Sequence, residues 1–196
     1  FKAPTLYQLY SDYGNEGLLA ERSTSYDAGL EYGRQDGALF AAAHAFRRDT
    51  RNQIDFVSCF GVTDGICTNR PFGTYDNVAE ARAEGVELEA AWRPVEALQL
   101  RGAYAWIDAE NRTAGAANEG NDLARRPNHL ATLSADLATG GPVVGANLRI
   151  ASQSFDNASN SVALDGYEVV DLRASWPVGE RIELFGRVEN LFDADY

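Results

Sequence analysis

The 196-residue chain carries 29 acidic against 17 basic side chains, a formal net charge of -12, and 45% of its residues are hydrophobic. The length suffices for one domain with a real core, but no run approaches the eighteen or more apolar residues of a spanning helix, which excludes a helical membrane protein. A membrane β-barrel, whose strands carry only a two-residue period, stays open, whereas the acidic balance and the lack of a basic stripe exclude a nucleic-acid binder.

In chain order, alternation of apolar and polar side chains predicts strands from residue 24 onward. Tyr26, Ala28, Leu30 and Tyr32 stand against Asp27 and Glu31, and an alanine-rich strand follows from about Ala38. Val86, Leu88, Ala90 and Trp92 oppose Glu87, Glu89 and Arg93; Leu98, Leu100, Tyr104 and Trp106 oppose Gln99 and Arg101. The same parity runs through His129 to Leu137, Val144 to Ile150, Val170 to Trp176 and Ile182 to Val188. The expected strands are roughly 24–33, 38–55, 76–93, 96–110, 125–139, 143–155, 166–177 and 181–190. Most reach the roughly 9–11 residues that a tilted membrane strand needs, well beyond the soluble mode of about 5–6.

The connections alternate short and long. Short ones hold Arg34 to Gly37, Pro94 to Glu96, Thr139 to Pro142 and Val178 to Glu180; long ones run over 56–75, 111–124 and 156–165. In an antiparallel meander this puts every short turn at one end and every long loop at the other, as in outer-membrane barrels. Tyr32, Trp92, Trp106 and Trp176 lie near strand ends on the apolar parity, where a lipid-facing girdle belongs. The alternative is a soluble β-sandwich, which would bury Val86, Leu88, Leu98, Leu100, Leu172 and Leu184 in a common centre. On the other parity, Glu87, Glu89, Arg93, Arg101, Arg149, Arg173, Glu183, Arg187 and Glu189 suit a polar lumen. No G-x-S-x-G, H-E-x-x-H or phosphate-cradling glycine loop occurs, and Ser134 and His129 have opposite parity, so no enzyme is expected.

Local motifs add a resemblance. The run Phe1-Lys2-Ala3-Pro4-Thr5-Leu6-Tyr7-Gln8-Leu9-Tyr10, then Tyr13-Gly14-Asn15 and Glu21 to Glu31, resembles the "F(K/R)AP(S/T)LxQLY…GN…L…E…S…YExGLE" pattern of TonB-dependent outer-membrane receptors. Ala83 to Glu89 is similar to their "(A/V)xGVE" strand, Arg125-Arg126-Pro127 with His129 to their "RxP.H" strand entry, and Asn190 to Tyr196 to their "NLFDKxY" signature. The compact loops and the stretch from Tyr75 to Glu87 look most like the vitamin B12 receptor branch, with siderophore receptors close behind.

This resemblance implies an all-β architecture in which residues 1–196 supply about eight consecutive antiparallel strands of a 22-stranded transmembrane β-barrel. The slice would be open at both edges; the plug domain, the early strands and the final strand would lie outside it. Phe1 in place of Met, and an ending just after a turn, fit a fragment at both ends. The implied function is TonB-dependent uptake of a cobalamin-like corrinoid across the bacterial outer membrane, with a ferric-siderophore receptor or a non-transport surface module as alternatives. The implied partners are that substrate, the TonB complex and outer-membrane lipid, with no cofactor and no metal of the protein's own.

Within the long loop 56–75, Cys59 and Cys67 have seven residues between them and could close a small extracellular disulfide ring; two free thiols are the alternative. A metal pair lacks a third ligand nearby, since His44 and His129 lie on separate strands. Asp64, Asn69, Tyr75, Asp76 and Asn77 are the candidates for touching substrate. Asp156, Asn157 and Asp165 could hold calcium only with oxygens from other loops, because their spacing is not that of an EF-hand.

Overall fold

The computed structural model describes residues 1–195, apart from the side chains of Val78 and Ala79; Tyr196, which closes the last sequence signature, lies outside the described residues. One eight-stranded antiparallel sheet dominates, formed by β1 (Arg22–Gly33), β2 (Leu39–Val57), β3 (Thr74–Val95), β4 (Leu98–Asn111), β5 (His129–Ala138), β6 (Val143–Ala151), β9 (Tyr167–Val178) and β10 (Ile182–Val188). Its spatial order is β1-β2-β3-β4-β5-β6-β9-β10. A small ribbon of β7 (Ser154–Phe155) and β8 (Ala163–Leu164) interrupts the last long connection without entering the main sheet. The sheet is therefore a meander, open at β1 and β10.

The register carries the sequence alternation from strand to strand. Tyr32 lies opposite Ala41, Ala41 opposite Ala90, Ala90 opposite Gly102 and Gly102 opposite Leu133. Leu133 then meets Leu148, and Leu148 meets Val170, so one face is apolar across seven strands. That face is not covered by a second layer: Leu30 is 81% exposed, Leu133 52% and Leu184 57%. A sandwich would have buried them, so the common-centre alternative fails and the outward apolar face needs lipid in place of water. The residues that are buried within the sheet, such as Phe40, Ala42, Ala109 and Val169, sit on the opposite parity, where side chains of the polar face shield one another.

Several strand limits differ from the sequence expectation, each for a local reason. β2 and β3 extend two residues further at their outer ends, to Val57 and from Thr74, because Phe56 pairs with Tyr75. A break in register between Thr50 and Gln53, at Asn52 with φ +56°, interrupts the β2–β3 ladder before this extension. β5 begins at His129, four residues later than expected: Arg125 takes φ +58° and Pro127 has no N–H to donate to a ladder. β6 stops at Ala151, since Ser154 and Phe155 pair with Leu164 and Ala163 instead. β10 stops at Val188, leaving Glu189 beyond the strand; Asn190 turns at φ +50° and its N–H donates to Asp171 Oδ1 at 2.9 Å.

A helix near the N-terminus was not among the expected elements. Residues Leu6–Tyr10 form α1, a short helix held by a capping box in which Thr5 Oγ1 accepts from the Gln8 N–H and Gln8 Oε1 accepts from the Thr5 N–H. The Thr-x-x-Gln spacing carries this in the sequence.

Candidate functional site

The inner face of the sheet holds a hollow of about 560 Å³ lined by Phe40, Glu89, Arg101, Ser134, Asn147, Arg149 and Asp171, among others. Its charged side chains form cross-strand pairs. Arg173 on β9 reaches over β6 to Asp136 on β5 at 2.5 Å and donates to Asn147 Oδ1 at 2.9 Å, while Arg149 approaches Asp171 at 3.4 Å. Arg101, Glu87, Glu89 and Glu183 make no ion pair among the described residues, and Arg187 pairs locally with Glu189 at 3.3 Å beyond the end of β10.

Two glycines let long side chains lie flat against this wall. A Cβ on Gly145 would sit 2.5 Å from Asp136 Oδ1 and 2.7 Å from Arg173 Nε, so the guanidinium crosses at the one point on β6 that offers no side chain. On the same face, toward the β1 edge, Gly29 of β1 is roofed by the imidazole of His44, its register partner. Glycine inside a strand marks such close approaches.

The outer ends of β2 and β3 carry a second cluster, built with the N-terminal segment. Tyr7, Tyr75, Phe56 and Tyr13 form a chain of edge-to-face rings with centroids 5.5–6.1 Å apart. Such ring pairs add about 0.5–1.5 kcal/mol beyond simple burial. The connection from 58 to 73 folds over this end, and Cys59 and Cys67 are joined in a disulfide; both are buried. Asp64 caps the single 3-10 turn Gly65–Cys67, its carbonyl accepting the Cys67 N–H, and Asn69 adopts φ +60° in the next turn. Arg70 donates to Thr74, which is fully buried and in turn donates to the Tyr13 carbonyl.

Of the five substrate candidates, then, three lie in strand β3 and two in the disulfide loop. Asn77 accepts from the Leu19 N–H at 2.7 Å and donates to the carbonyls of Leu19 and Asn52 at 2.9 and 2.8 Å. Asp76 caps the neighbouring Asn77 N–H, and Tyr75 sits in the ring chain. Tyr7, Tyr13 and Phe56 were not singled out by sequence reasoning; the signal available was the density of aromatics in residues 1–13 opposite Phe56 and Tyr75.

The remaining long connections lock to each other. Asp122 N–H donates to Asn160 Oδ1 at 2.8 Å, Asn160 Nδ2 returns to the Asp122 carbonyl at 3.0 Å, and Asn121 Nδ2 donates to the Ala158 carbonyl at 3.0 Å. Arg125 adds an ion pair to Asp156 at 2.7 Å. Asp156 and Asn157 are thus engaged in loop structure, and no group of three or more His, Cys, Asp or Glu side chains able to hold a metal occurs among the described residues.

On the apolar face, Tyr32, Trp92 and Trp176 lie toward the short turns and Trp106 toward the long loops, in register with His129 of β5, whose ring stacks on that of Tyr104. Tyr104 hydroxyl and His129 Nδ1 are 2.8 Å apart. Beyond this level, charges replace apolar groups on the same parity: Arg47 pairs with Asp49 at 3.1 Å, Arg82 with Asp49 at 2.8 Å and Arg112 with Glu110 at 3.0 Å. At the opposite end, in the turn after β1, Arg34 grips Asp36 with two bonds of 2.9 Å. That hydrogen-bonded guanidinium holds the Asp36 carboxyl below its ordinary value, and Arg34 is raised in return.

An apolar outer face bounded by aromatics, a charged inner face, short turns at one end and braced loops at the other define the wall of an outer-membrane β-barrel. A family model described as "TonB dependent receptor-like, beta-barrel" matches residues 1–191, and the chain belongs to that family. It is accordingly a segment of a bacterial outer-membrane receptor wall, not an enzyme.

Among similar proteins, the vitamin B12 transporter BtuB of Photobacterium profundum is 29% identical over 201 residues, covering 100% of this chain and 30% of that protein. The metal-pseudopaline receptor CntO of Pseudomonas aeruginosa is 28% identical over 194 residues, covering 95% and 26%. The fold matches the ferric enterobactin receptor PfeA (Q482A mutant, in complex with enterobactin) of P. aeruginosa with a TM-score of 0.77 at 23% identity, covering 98% of this chain and 32% of that one. The chain spans about a third of the length of these proteins or less.

Proposed function

We propose that this chain forms part of the wall and extracellular loops of a longer receptor that takes up a metal chelate of the siderophore type, driven by TonB. The observation that carries this reading is the rim of aromatic side chains, Tyr7, Tyr13, Phe56 and Tyr75, standing on the braced outer ends of β2 and β3. A chelated metal presents an organic shell, which ring edges and faces contact well. The four loop segments 1–21, 58–73, 112–128 and 152–166 hold eight carboxylates against five cationic side chains. That balance favours a neutral or net-positive chelate over a strongly anionic one.

Similarity to a metal-pseudopaline receptor supports the chelate reading. A corrinoid is the second reading, favoured by similarity to a vitamin B12 transporter over the whole chain at an almost equal identity. The inner-face groups that lack an ion pair, Arg101, Glu87 and Glu89, are assigned to contacts with a plug inside the barrel. Asp64 and Asn69 of the disulfide loop are assigned to the rim.

Binding to the full-length receptor in detergent, read by calorimetry, tests the reading. A neutral ferric hydroxamate is expected to bind, an anionic ferric tris-catecholate to bind at least about tenfold more weakly, and Tyr75→Ala to weaken the hydroxamate. Binding of cyanocobalamin with no ferric chelate would move the receptor to the corrinoid branch.

A further inference from the structure

Three segments of the outer rim meet at one hydroxyl. Thr74 opens β3 and is fully buried, and its side chain accepts from the Arg70 guanidinium while donating to the Tyr13 carbonyl at 3.1 Å. That carbonyl also accepts the Tyr75 N–H at 3.1 Å, so both of its lone pairs are used. The Tyr75 carbonyl in turn accepts from Asn15 Nδ2 at 3.0 Å, and the Asn15 N–H donates to the carbonyl of Gln8 in α1, the helix that carries Tyr7.

Arg70 brings the disulfide loop into this junction. Its N–H donates to the carbonyl of the disulfide-bonded Cys67 at 3.0 Å, so the covalent ring fixes where the guanidinium starts from. Gly73 is buried at φ +136°, and a Cβ there would sit 2.5 Å from Phe56 Cζ; the Phe56 ring therefore lies on bare backbone. Phe56 and Tyr75 are thus seated by the strands themselves, which pair at this level. Tyr13 stands on a segment outside the sheet, and beside the Tyr75 N–H it is the Thr74 hydroxyl that holds its carbonyl.

We propose that Thr74 is a positioning residue for the transported ligand: its hydroxyl couples the disulfide loop to Tyr13, so that the Cys59–Cys67 ring sets ligand affinity through Arg70 and Thr74. This deepens the reading of the aromatic rim as the ligand site and rests on it. The physical reason is the short range of ring contacts, since a gap of about 0.5–1 Å already forfeits a quarter to a half of a van der Waals attraction. A Tyr13 ring that drifts with its segment loses a rigid ligand before the fold loses anything. The β2–β3 ladder does not need the hydroxyl, because Thr74 pairs with Val57 through the backbone, and valine suits a strand at that place.

The test uses the full-length receptor in mild detergent, with calorimetric binding and thermal unfolding measured on each variant. The probe is whichever of a neutral ferric hydroxamate and cyanocobalamin the parent binds. T74V should unfold with the parent yet bind about three- to tenfold more weakly, the scale of one lost hydrogen bond, and T74S should restore binding. C59S/C67S should weaken binding in the parent background and add little in the T74V background, because both changes cut the same link. A folded T74V that binds as the parent does, a T74S that fails to restore binding, or additive losses would overturn the proposal. Y75A judges the rim reading separately. A weakened Y75A beside a parent-like T74V removes the positioning role alone, whereas a parent-like Y75A, or a parent that binds neither probe, removes the rim reading and the proposal with it. If T74V does not fold, R70A takes its place: the same loss without additivity is expected, and parent-like binding or additive losses would overturn the proposal.

Discussion

The two faces of the same eight strands solve opposite problems. The outer face carries Leu30, Leu88, Leu133, Leu172 and Leu184 with nothing of the protein over them. The inner face carries Arg149, Arg173, Asp136 and Asp171, laid flat and paired across strands. Exposed ion pairs are each worth little, about 0–1 kcal/mol, so their value on the inner face is shape: they keep the wall polar without projecting into the lumen. Above the Trp106 level the outward parity turns charged, and Arg47, Asp49 and Arg82 pair there. One β-strand residue therefore separates a position that must suit lipid from one that must suit water.

The largest expected effect comes from mixing the two faces. In the full-length receptor, Leu88→Arg should destabilise the folded barrel by about 2–4 kcal/mol, measured by urea-dependent folding into lipid vesicles. Glu87→Gln, one residue away and facing inward, should stay within about 0.5 kcal/mol of the parent. If the two variants lose the same stability, the faces are not distinct.

Next is the covalent brace at the outer rim. Replacing Cys59 and Cys67 by Ser should release about 2–3 kcal/mol of constraint on the short closed loop. The readout is cleavage by chymotrypsin after the exposed Phe60 or Phe72 of this loop, faster than in the parent, while the strands stay protected. Unchanged cleavage would mean that the Arg70–Thr74 and Tyr13–Thr74 contacts hold the loop without the disulfide.

A smaller effect should come from the flat-lying arginine. Gly145→Val is expected to cost about 1–3 kcal/mol by overpacking, because it drives Arg173 off Asp136. Arg173→Ala should relieve that cost in the double variant, and additive losses would contradict the geometry.

Much of this arrangement was legible in the sequence. The parity of Val86 to Trp92 and of Leu98 to Trp106, with the strict alternation of short and long connections, was enough to place eight strands and their faces, because period-two burial is written directly in side-chain order. What the order could not contain was the meeting of distant segments. The Asn160–Asp122 latch joins loops 38 residues apart, and Asn77 ties β3 to Leu19, 58 residues away. The early end of β10 depends on the Asn190 N–H finding Asp171, which is visible only once β9 and β10 are in register.

The smallest effect lies at the short-turn end. Asp36 is held below its ordinary value of 3.8 by Arg34, so its contribution is present above pH 3.8 and disappears as pH falls through the lowered folded value. An Asp36→Asn variant should differ slightly from the parent at neutral pH and converge with it in acid. A difference that grows on acidification would contradict the sign.

Accessibility along a single strand tests the two-faced wall most directly. Spin labels placed one at a time from Val86 to Trp92 of the full-length receptor in vesicles, on a Cys59→Ser/Cys67→Ser background, report collisions with oxygen, which concentrates in lipid, and with a water-soluble nickel chelate. The account predicts a two-residue alternation, with labels at positions 86, 88, 90 and 92 reached by oxygen and those at 87, 89 and 91 shielded from it. A flat profile, or oxygen access at 87 and 89, would contradict it.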